Sequence, residues 1–170
     1  MDRKAAIAQE IPRLRRYARA LVRDHGEADD LVQDCLVRAL GGLDGWRDGA
    51  SPRKWLFAIM HNLHIDHARA RARRPHHSAI DTVADRDLAE PARQLDHLNA
   101  SATIEALFEL PPERREALLL VAIEGMSYRE AAAVVGVPVG TLVSRLGRGR
   151  AQLRATLGSG PPRSGCLGSV

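Results

Sequence analysis

Four side chains near the C-terminal end of this 170-residue sequence have types and spacing that suit contact with DNA: Thr141, Ser144, Arg145 and Arg148. In a helix, residues three, four and seven positions apart share one face. Guanidinium groups can meet phosphates or guanine edges, and hydroxyls can bond to bases or to the backbone. The pattern therefore indicates a helix whose exposed face can lie against duplex DNA.

The residues just before this face predict the first helix and the turn of a helix-turn-helix. Ser127 and Glu130 have the spacing of a capping box, and Gly136 to Pro138 forms a tight turn. Small side chains of the first helix should pack on two leucines of the second: Ala131, Ala132 and Val135 against Leu142 and Leu146. An ordinary helical hairpin with a solvated basic face is the alternative, but the capping box and the turn favour the DNA-binding motif.

A second basic segment begins at Ser51, a candidate N-cap, with Pro52 at the first helical position. The helix that follows carries aromatic rings, an asparagine and a terminal arginine cluster. Together these groups offer stacking surfaces, hydrogen bonds and phosphate anchors suited to partly single-stranded DNA. Alternatively, Trp55 and Phe57 belong to the core, the interpretation we prefer for Trp55, and the arginines only stabilise the helix end through its dipole.

Three histidines of this helix, His61, His64 and His67, recur every third residue. This spacing spreads them over about a third of the helix circumference. No nearby cysteine or suitably directed carboxylate completes a ligand set, since Asp66 should project away from them. We therefore expect polar positions near DNA, with no metal and no cofactor.

An acidic helix precedes the basic one. Its apolar residues predict one continuous buried face, formed by Ala28, Leu31, Val32, Cys35, Leu36, Ala39 and Leu40. Asp30, Gln33 and Asp34 occupy neighbouring exposed positions and suit a basic protein surface. Acidic residues in a first turn are also stabilised by the helix dipole, so this pattern is not specific by itself.

Helical spacing of apolar residues extends through most of the chain, and no segment shows sustained two-residue alternation, so the sequence predicts an all-α fold. The first helix should cover about residues 5–23, and Pro12 should bend or restart it. Its apolar stripe is expected to consist of Ile7, Ile11, Leu14, Ala18, Leu21 and Val22. A short helix around residues 104–108 and a helix over 113–124 should precede the helix-turn-helix.

The distribution of charge and of proline and glycine predicts two small helical domains, at residues 1–74 and 101–157. Residues 75–100 are acidic and poor in large apolar side chains, which favours a flexible linker that lets two modules reach separated sites. Residues 158–170 are expected to form a disordered tail.

Composition excludes several classes of protein. With only Cys35 and Cys166, a structural disulfide is not expected and a reducing cytoplasm fits. No signal peptide is expected, because the first residues lack its apolar run, and no run approaches the roughly 20 apolar residues of a membrane span. It also has neither a phosphate-cradling glycine motif nor a convincing nucleophile and base, so we expect no catalytic residues and no enzyme activity.

Three motifs in order resemble a known family. They are DDLVQDCLVRAL, then SPRKWLFAIMHNLHIDHARARARR, then LPPERREALLLVAIEGMSYREAAAVVGVPVGTLVSRLGRGRAQL. The set is similar to the small extracytoplasmic-function (ECF) group of bacterial RNA polymerase sigma factors, within the sigma-70 family, which keeps only conserved regions 2 and 4. The resemblance covers about residues 11–74 and 104–157.

This resemblance implies a role in transcription initiation in response to stress. It assigns Asp30, Gln33 and Asp34 to the surface that docks on the clamp helices of the largest subunit of core RNA polymerase. It also implies regulation by an anti-sigma factor that clamps the two domains together.

The same resemblance implies two contacts with promoter DNA. The loop from Gly41 to Ala50 and the following helix would capture flipped bases of the −10 element, with candidate contacts at Asn62, Asp66, Arg69, Arg73 and Arg74. Thr141, Ser144, Arg145 and Arg148 would read the −35 element as duplex in the major groove. Capturing bases offsets an unstacking cost of a few kcal/mol.

The recognition helix departs from the family pattern at Val143, Gly147 and Gly149, where a basic residue, a larger side chain and alanine are usual. Each glycine lowers helix stability by about 1 kcal/mol relative to alanine. Two other classes remain open. One is a sigma-like decoy that binds an anti-sigma factor without directing transcription. The other is a free-standing helix-turn-helix repressor, which would need a dimer interface that the sequence does not obviously supply.

Overall fold

A computed structural model of the protein describes residues 3–46, 50–73 and 102–158. Within these ranges every regular element is helical, so the predicted all-α class is confirmed. The helices are α1 (Arg3–Leu21), α2 (His25–Gly41), α3 (Pro52–Ala72), α4 (102–108), α5 (Pro112–Leu118), α6 (Tyr128–Val135) and α7 (Val139–Gly158). A 3₁₀ turn spans Leu43–Gly45, and a π-helical turn spans Leu119–Ile123.

Helix α1 is continuous through Pro12, so of the two predicted alternatives, a bend or a restart at this proline, the restart is wrong. Leu14, Ala18 and Leu21 are buried as the predicted stripe requires, but Ile11 is only half-buried. Tyr17, which the apolar pattern did not include, is almost completely buried. Its ring packs at 4.8 Å between centroids against Phe57 of α3, which joins the first and third helices.

Helix α2 begins where the Asp24 side chain accepts a hydrogen bond from the Glu27 backbone N–H at 2.8 Å. The predicted buried face is correct except at its edge, because Leu36 is half-buried and Leu40 is 47% exposed. At 3.6 residues per turn, Leu40 lies about 120° around the helix from Ala28. The last leucine of the pattern therefore faces away from α1 and α3.

Helix α3 starts at Pro52 after the predicted N-cap Ser51 and ends at Ala72. It packs on both α1 and α2 through four buried side chains: Leu56, Phe57, Met60 and Leu63. Helices α1, α2 and α3, residues 3–73, are called the N-terminal half below. Helices α4 to α7, residues 102–158, are called the C-terminal half.

The helix predicted over 113–124 begins one residue earlier, at Pro112, and its last part is a π-helical turn. The Glu124 N–H donates to the Leu119 carbonyl at 3.0 Å, five residues back. Sequence periodicity does not distinguish this widened turn from an α-helix. The turn leaves Glu124 only 3% exposed, at the surface of contact with the N-terminal half.

The helix-turn-helix of the C-terminal half has the predicted local structure. Ser127 accepts from the Glu130 backbone N–H, and the Glu130 side chain accepts from the Ser127 N–H, which completes the capping box. Gly136 adopts φ = 68°, a left-handed conformation that glycine accepts without strain. All five side chains predicted at the helix crossing are buried in the core: Ala131, Ala132, Val135, Leu142 and Leu146.

Buried residues of both halves form one apolar cluster, because α3 packs against α6 and α1 packs against α5. The predicted domain bounds stay a prediction. Both the 75–100 linker and most of the 158–170 tail lie outside the described residues, although Gly158 is the last residue of α7.

In the described ranges, no single helix is long and apolar enough to cross a membrane. Helices α6 and α7 taken together meet the length and composition required, but they are bent by 101° at the turn between them.

Candidate nucleic-acid and protein interfaces

The predicted DNA-facing residues of α7 form one stripe. Thr141, Ser144 and Arg148 are exposed, and Arg145 is half-buried. An adjacent side of α7 packs into the protein through Leu142, Leu146 and Gly149. Because the buried side fixes the rotation of the helix, the two arginines and two hydroxyls point outwards together. The arrangement offers guanidinium and hydroxyl groups to a duplex groove.

The two glycines of this helix differ in their surroundings. Gly149 is buried against α5, whereas Gly147 is exposed. Arg114 of α5 also donates to Gln152 of α7 at 2.9 Å. The expectation that both glycines merely weaken the helix is therefore incomplete, since Gly149 lies where α5 and α7 approach each other closely.

Helix α3 carries a second exposed polar stripe. Asn62, Asp66, Arg69 and Arg73 are all exposed, and their spacing of four, seven and eleven residues places them along one face. The fifth candidate, Arg74, lies outside the described residues. The stripe runs along the second half of the helix and ends at the C-cap residue Arg73. It presents a carboxylate, an amide and two guanidinium groups in one line.

The aromatic side chains of α3 are not free stacking surfaces. Phe57 is fully buried, so the core interpretation is correct for this residue. Trp55 is partly buried, and its ring stacks on Trp46 with 5.6 Å between centroids and an interplanar angle of 14°. Trp46 in turn donates from Nε1 to the Ala50 carbonyl at 3.1 Å. This tryptophan pair, which the sequence pattern did not reveal, holds Trp46 against α3. Residues 47–49 of the predicted loop from Gly41 to Ala50 lie outside the described residues.

The three histidines of α3 have separate environments. His61 Nδ1 lies 2.7 Å from Glu116 Oε1 of the C-terminal half, so this histidine faces the protein rather than a DNA surface. Burial lowers the pKa of His64. His67 Nε2 lies 3.1 Å from Asp34 Oδ2. Among the residues that the structure describes, no group of three or more His, Cys, Asp or Glu side chains is placed to hold a metal ion.

The predicted protein-docking residues of α2, Asp30, Gln33 and Asp34, are all exposed. Two apolar residues continue their face: Val37 is 65% exposed and Leu40 is 47% exposed. Residues 30, 33, 37 and 40 follow the three- and four-residue spacing of one helix stripe. Sequence reasoning missed both residues, although Val37 stands opposite the predicted buried face. We call Asp30, Gln33, Asp34, Val37 and Leu40 the α2 face.

Two polar contacts join α2 to α3, the helix that carries the second stripe. Besides the contact of Asp34 with His67, Arg71 Nη2 of α3 lies 2.9 Å from Glu27 Oε2 of α2. Both pairs are substantially exposed, so they add little stability. They nevertheless place the C-terminal end of α3 beside α2.

A groove of about 820 Å³ lies between α1 and α4. Its walls include the apolar side chains of Ile104 and Ile123, which are 49% and 45% exposed. Three arginines of α1 also line it: Arg15, Arg16 and Arg19. The groove therefore combines an apolar floor with positive charge and touches both halves of the chain.

Comparison with known proteins matches both halves to families. A family model described as the Sigma2 domain of PhyR matches residues 7–61, and the model of Sigma-70, region 4 matches residues 101–153. The chain is 40% identical over 151 residues to the ECF RNA polymerase sigma factor EcfG of Rhodopseudomonas palustris (strain TIE-1), covering 89% of this chain and 82% of that protein. The chain belongs to the ECF RNA polymerase sigma factors.

Two solved structures have the same fold as this ECF sigma factor. The chain is similar to the sigma factor RpoE of Bartonella quintana in its co-crystal with the anti-sigma factor NepR, at 30% identity and a TM-score of 0.74, covering 93% of this chain and 98% of that one. It is also similar to CnrH in complex with the cytosolic domain of CnrY, at 32% identity and a TM-score of 0.67, covering 94% and 89%.

Proposed function

We propose that this ECF sigma factor binds core RNA polymerase and directs it to promoters by contacting the −10 and −35 elements. The observation that carries the proposal is the presence of two exposed polar stripes, on α3 and on α7, in a chain of this family. Each stripe lies on a helix whose other side is buried, so each is held in a fixed orientation. The protein supplies recognition, and the chemistry of RNA synthesis belongs to the polymerase, so the chain itself is not an enzyme.

The α2 face is the proposed docking surface for the clamp helices of the largest polymerase subunit. Its acidic residues suit a basic partner, and its exposed apolar residues, Val37 and Leu40, supply area that gains from burial. A narrow stripe of this kind fits a helical partner better than a flat one, because side chains spaced three and four residues apart pack into the grooves of another helix.

The α3 stripe is the proposed contact with the −10 element. Asn62 can hydrogen-bond to base edges, and the arginines near the helix end can hold phosphates. Because Phe57 is buried and Trp55 is stacked on Trp46, we assign captured bases to the loop before α3 and to the polar stripe rather than to these rings. Arg74 stays a candidate on the strength of the sequence alone.

The α7 stripe is the proposed −35 contact. Arg145 is half-buried, which limits its motion and favours directional contact with a base edge. Arg148 is exposed and suits a phosphate. Thr141 lies one helical turn closer to the N-terminus of α7 than Arg145 does, and Ser144 lies one turn closer than Arg148. The N-terminal end of a recognition helix is the part that contacts base edges in the major groove.

An anti-sigma factor is the proposed regulatory partner. Two of the similar structures are complexes, one with the anti-sigma factor NepR and one with the cytosolic domain of CnrY. The groove between α1 and α4 would accept an amphipathic helix with acidic residues, because its floor is apolar and Arg15 and Arg19 supply complementary charge. A partner in this groove would contact both halves of the chain and so hold them together.

The deciding experiment is transcription in vitro with purified core RNA polymerase. The protein is expected to produce promoter-specific transcripts from a template library of bacterial promoters, and omission of the protein should abolish them. The second candidate is a decoy, favoured by the match of residues 7–61 to the Sigma2 domain of PhyR. A decoy would bind an anti-sigma protein such as NepR and yield no transcripts, and that outcome would refute the proposal.

A further inference from the structure

Glu124, at the end of the π-helical turn, has a fully buried side chain. Arg16 Nη2 donates to its Oε1 at 2.9 Å, and Arg53 Nη2 donates to its Oε2 at 3.3 Å. Arg16 belongs to α1 and Arg53 to the first turn of α3. One carboxylate of the C-terminal half is therefore held by two guanidinium groups of the N-terminal half.

Glu116, in α5, makes a second contact of the same kind. Its side chain is 6% exposed, and its Oε1 accepts from the Tyr17 hydroxyl at 3.0 Å. The same oxygen lies 2.7 Å from His61 Nδ1. Burial, followed by the charge of Glu116, raises the pKa of Tyr17 well above its usual value, which keeps the hydroxyl protonated and able to donate. Tyr17 and His61 belong to the N-terminal half.

These contacts depend on the two halves being together. A buried carboxylate is costly unless it is paired and hydrogen-bonded, so both glutamates favour the closed packing only while their partners are in place. Once the halves separate, water can hydrate the carboxylates. Their burial is thus a property of the contact between halves and not of the cores of α1–α3 or of the helix-turn-helix.

The closed packing also fixes the α3 stripe relative to the α7 stripe. Lys54 of α3 lies 2.8 Å from Glu130 of α6, the first helix of the helix-turn-helix, at the edge of the same contact. Reading two separated promoter elements requires the two stripes to move independently, as the sequence between residues 74 and 101 would permit by its length. Closure and promoter reading therefore compete.

We propose that Glu116 and Glu124 form an intramolecular latch that holds the two halves closed in the absence of any partner and that opens when core RNA polymerase binds. The polymerase part of this inference rests on the proposed function. A partner that binds only the open form has an apparent affinity reduced by the open fraction, so weakening the latch strengthens polymerase binding.

Closure is measured first without polymerase, by energy transfer between dyes on Val37→Cys and Leu157→Cys in a Cys166→Ser background. Both positions are exposed, and Cys35 stays unlabelled because it is buried and its pKa is raised to about 12. Glu124→Gln removes the charge that balances two guanidinium groups. The two halves should then separate more often, and the efficiency of energy transfer should fall. Arg16→Gln tests the same contact from the other half and should lower transfer too.

Glu105→Gln is the matched control. Glu105 also pairs across the two halves, with Arg23 at 3.0 Å, but both side chains are more than 60% exposed. An exposed pair contributes little, so transfer should stay at the wild-type value. Circular dichroism confirms that each variant remains helical. Equal transfer in wild type, Glu124→Gln and Arg16→Gln would overturn the latch.

Binding to core polymerase is then measured with unlabelled protein. Glu124→Gln should bind about three- to tenfold more tightly than wild type, and Glu105→Gln should match wild type. A wild-type protein that closes as expected but never initiates would refute the proposed function and leave the latch standing. A wild-type protein that initiates while Glu124→Gln changes neither transfer nor affinity would refute the latch alone.

Discussion

Gly149 of α7 lies so close to Leu118 of α5 that a Cβ atom on the glycine would come within 3.0 Å of the Leu118 Cδ1 atom. The same Cβ atom would lie 3.4 Å from the Cβ atom and from the carbonyl oxygen of Arg114. A Cβ atom on Gly147 would meet nothing within 4 Å. The glycine at 149 therefore permits the contact between α5 and α7, whereas the glycine at 147 serves no packing purpose.

The two glycines should respond differently to alanine. Gly147→Ala is expected to raise the free energy of unfolding by about 1 kcal/mol, the difference in helix propensity between the two residues. Gly149→Ala gains the same propensity but overpacks the contact with Leu118, a cost of about 1–3 kcal/mol. Its net effect should range from zero to a loss of about 2 kcal/mol.

Urea unfolding of the two single variants, followed by circular dichroism, measures both effects. Each variant is the control for the other, since the substitution and the helix are the same. An equal gain in stability from both alanines would show that α5 and α7 adjust without cost and would contradict the packing role of Gly149.

The contrast between local and tertiary signals explains how far the sequence predicted this structure. Ser127 and Glu130 interact across three residues, so the pattern of residues was sufficient to place the start of α6. Gly136 was likewise predicted at the turn, because few residues other than glycine adopt its positive φ. The existence of the helices and the α7 stripe followed from residue spacing, whereas the α3 candidates followed from the resemblance to the sigma factor family.

Features that depend on distant partners were not predicted. Tyr17 was not counted among the apolar residues of the first helix. Its burial follows from contacts with Phe57 and Glu116, which are far away in sequence. The π-helical turn that brings Glu124 to its buried position has no signature in residue spacing. Leu40 matched the buried pattern but lies beyond the edge of the contact with neighbouring helices. Each error concerns what a helix packs against, which periodicity does not specify.

Glu130 should make stability depend on pH in the acidic range. The hydrogen bond from Lys54, and then those from Ser127, lower the pKa of this carboxyl from 4.5 to about 2. Because the folded-state pKa is lower than the unfolded one, the contribution of the ionised group is present above about pH 4.5 and is lost as the pH falls towards 2. Urea midpoints of wild type and Glu130→Gln should therefore differ at pH 6, differ less at pH 3, and converge only as the pH approaches 2.

Glutamine is suitable here because it still completes a capping box, so the comparison isolates the charge. Ser127→Ala provides the complementary variant. It removes the N-cap oxygen and should lower stability by about 1 kcal/mol at pH 6. A constant difference in midpoint between wild type and Glu130→Gln from pH 6 to pH 3 would contradict the charge interaction.

The α2 face makes a prediction about polymerase binding at a residue that the sequence did not single out. Val37→Asp should weaken binding to core RNA polymerase at least tenfold, because it places a charge where an apolar contact is expected; a tenfold loss corresponds to about 1.4 kcal/mol. The fold should tolerate the change, since Val37 is 65% exposed. Fluorescence anisotropy with purified core enzyme measures the affinity.

Val37→Thr is the control, because threonine has nearly the same shape and no charge. It should bind within about threefold of wild type, a difference below 1 kcal/mol. Asp30→Ala and Gln33→Ala should weaken binding as well, through loss of polar contacts on the same face. If Val37→Asp bound core polymerase as wild type does while the alanine variants did not, the docking surface would be limited to the acidic end of α2.

The α7 stripe predicts a loss that depends on the −35 element. Arg145→Ala should reduce initiation from promoters that need this element about tenfold or more, since a well-placed arginine contributes about 1–3 kcal/mol of base discrimination. Core binding should be unchanged, because docking is assigned to α2. Arg150→Ala is the matched control, since Arg150 is exposed on the opposite side of α7 from the stripe. Equal losses from both variants would mean that general positive charge, and not the Arg145 face, holds the upstream duplex.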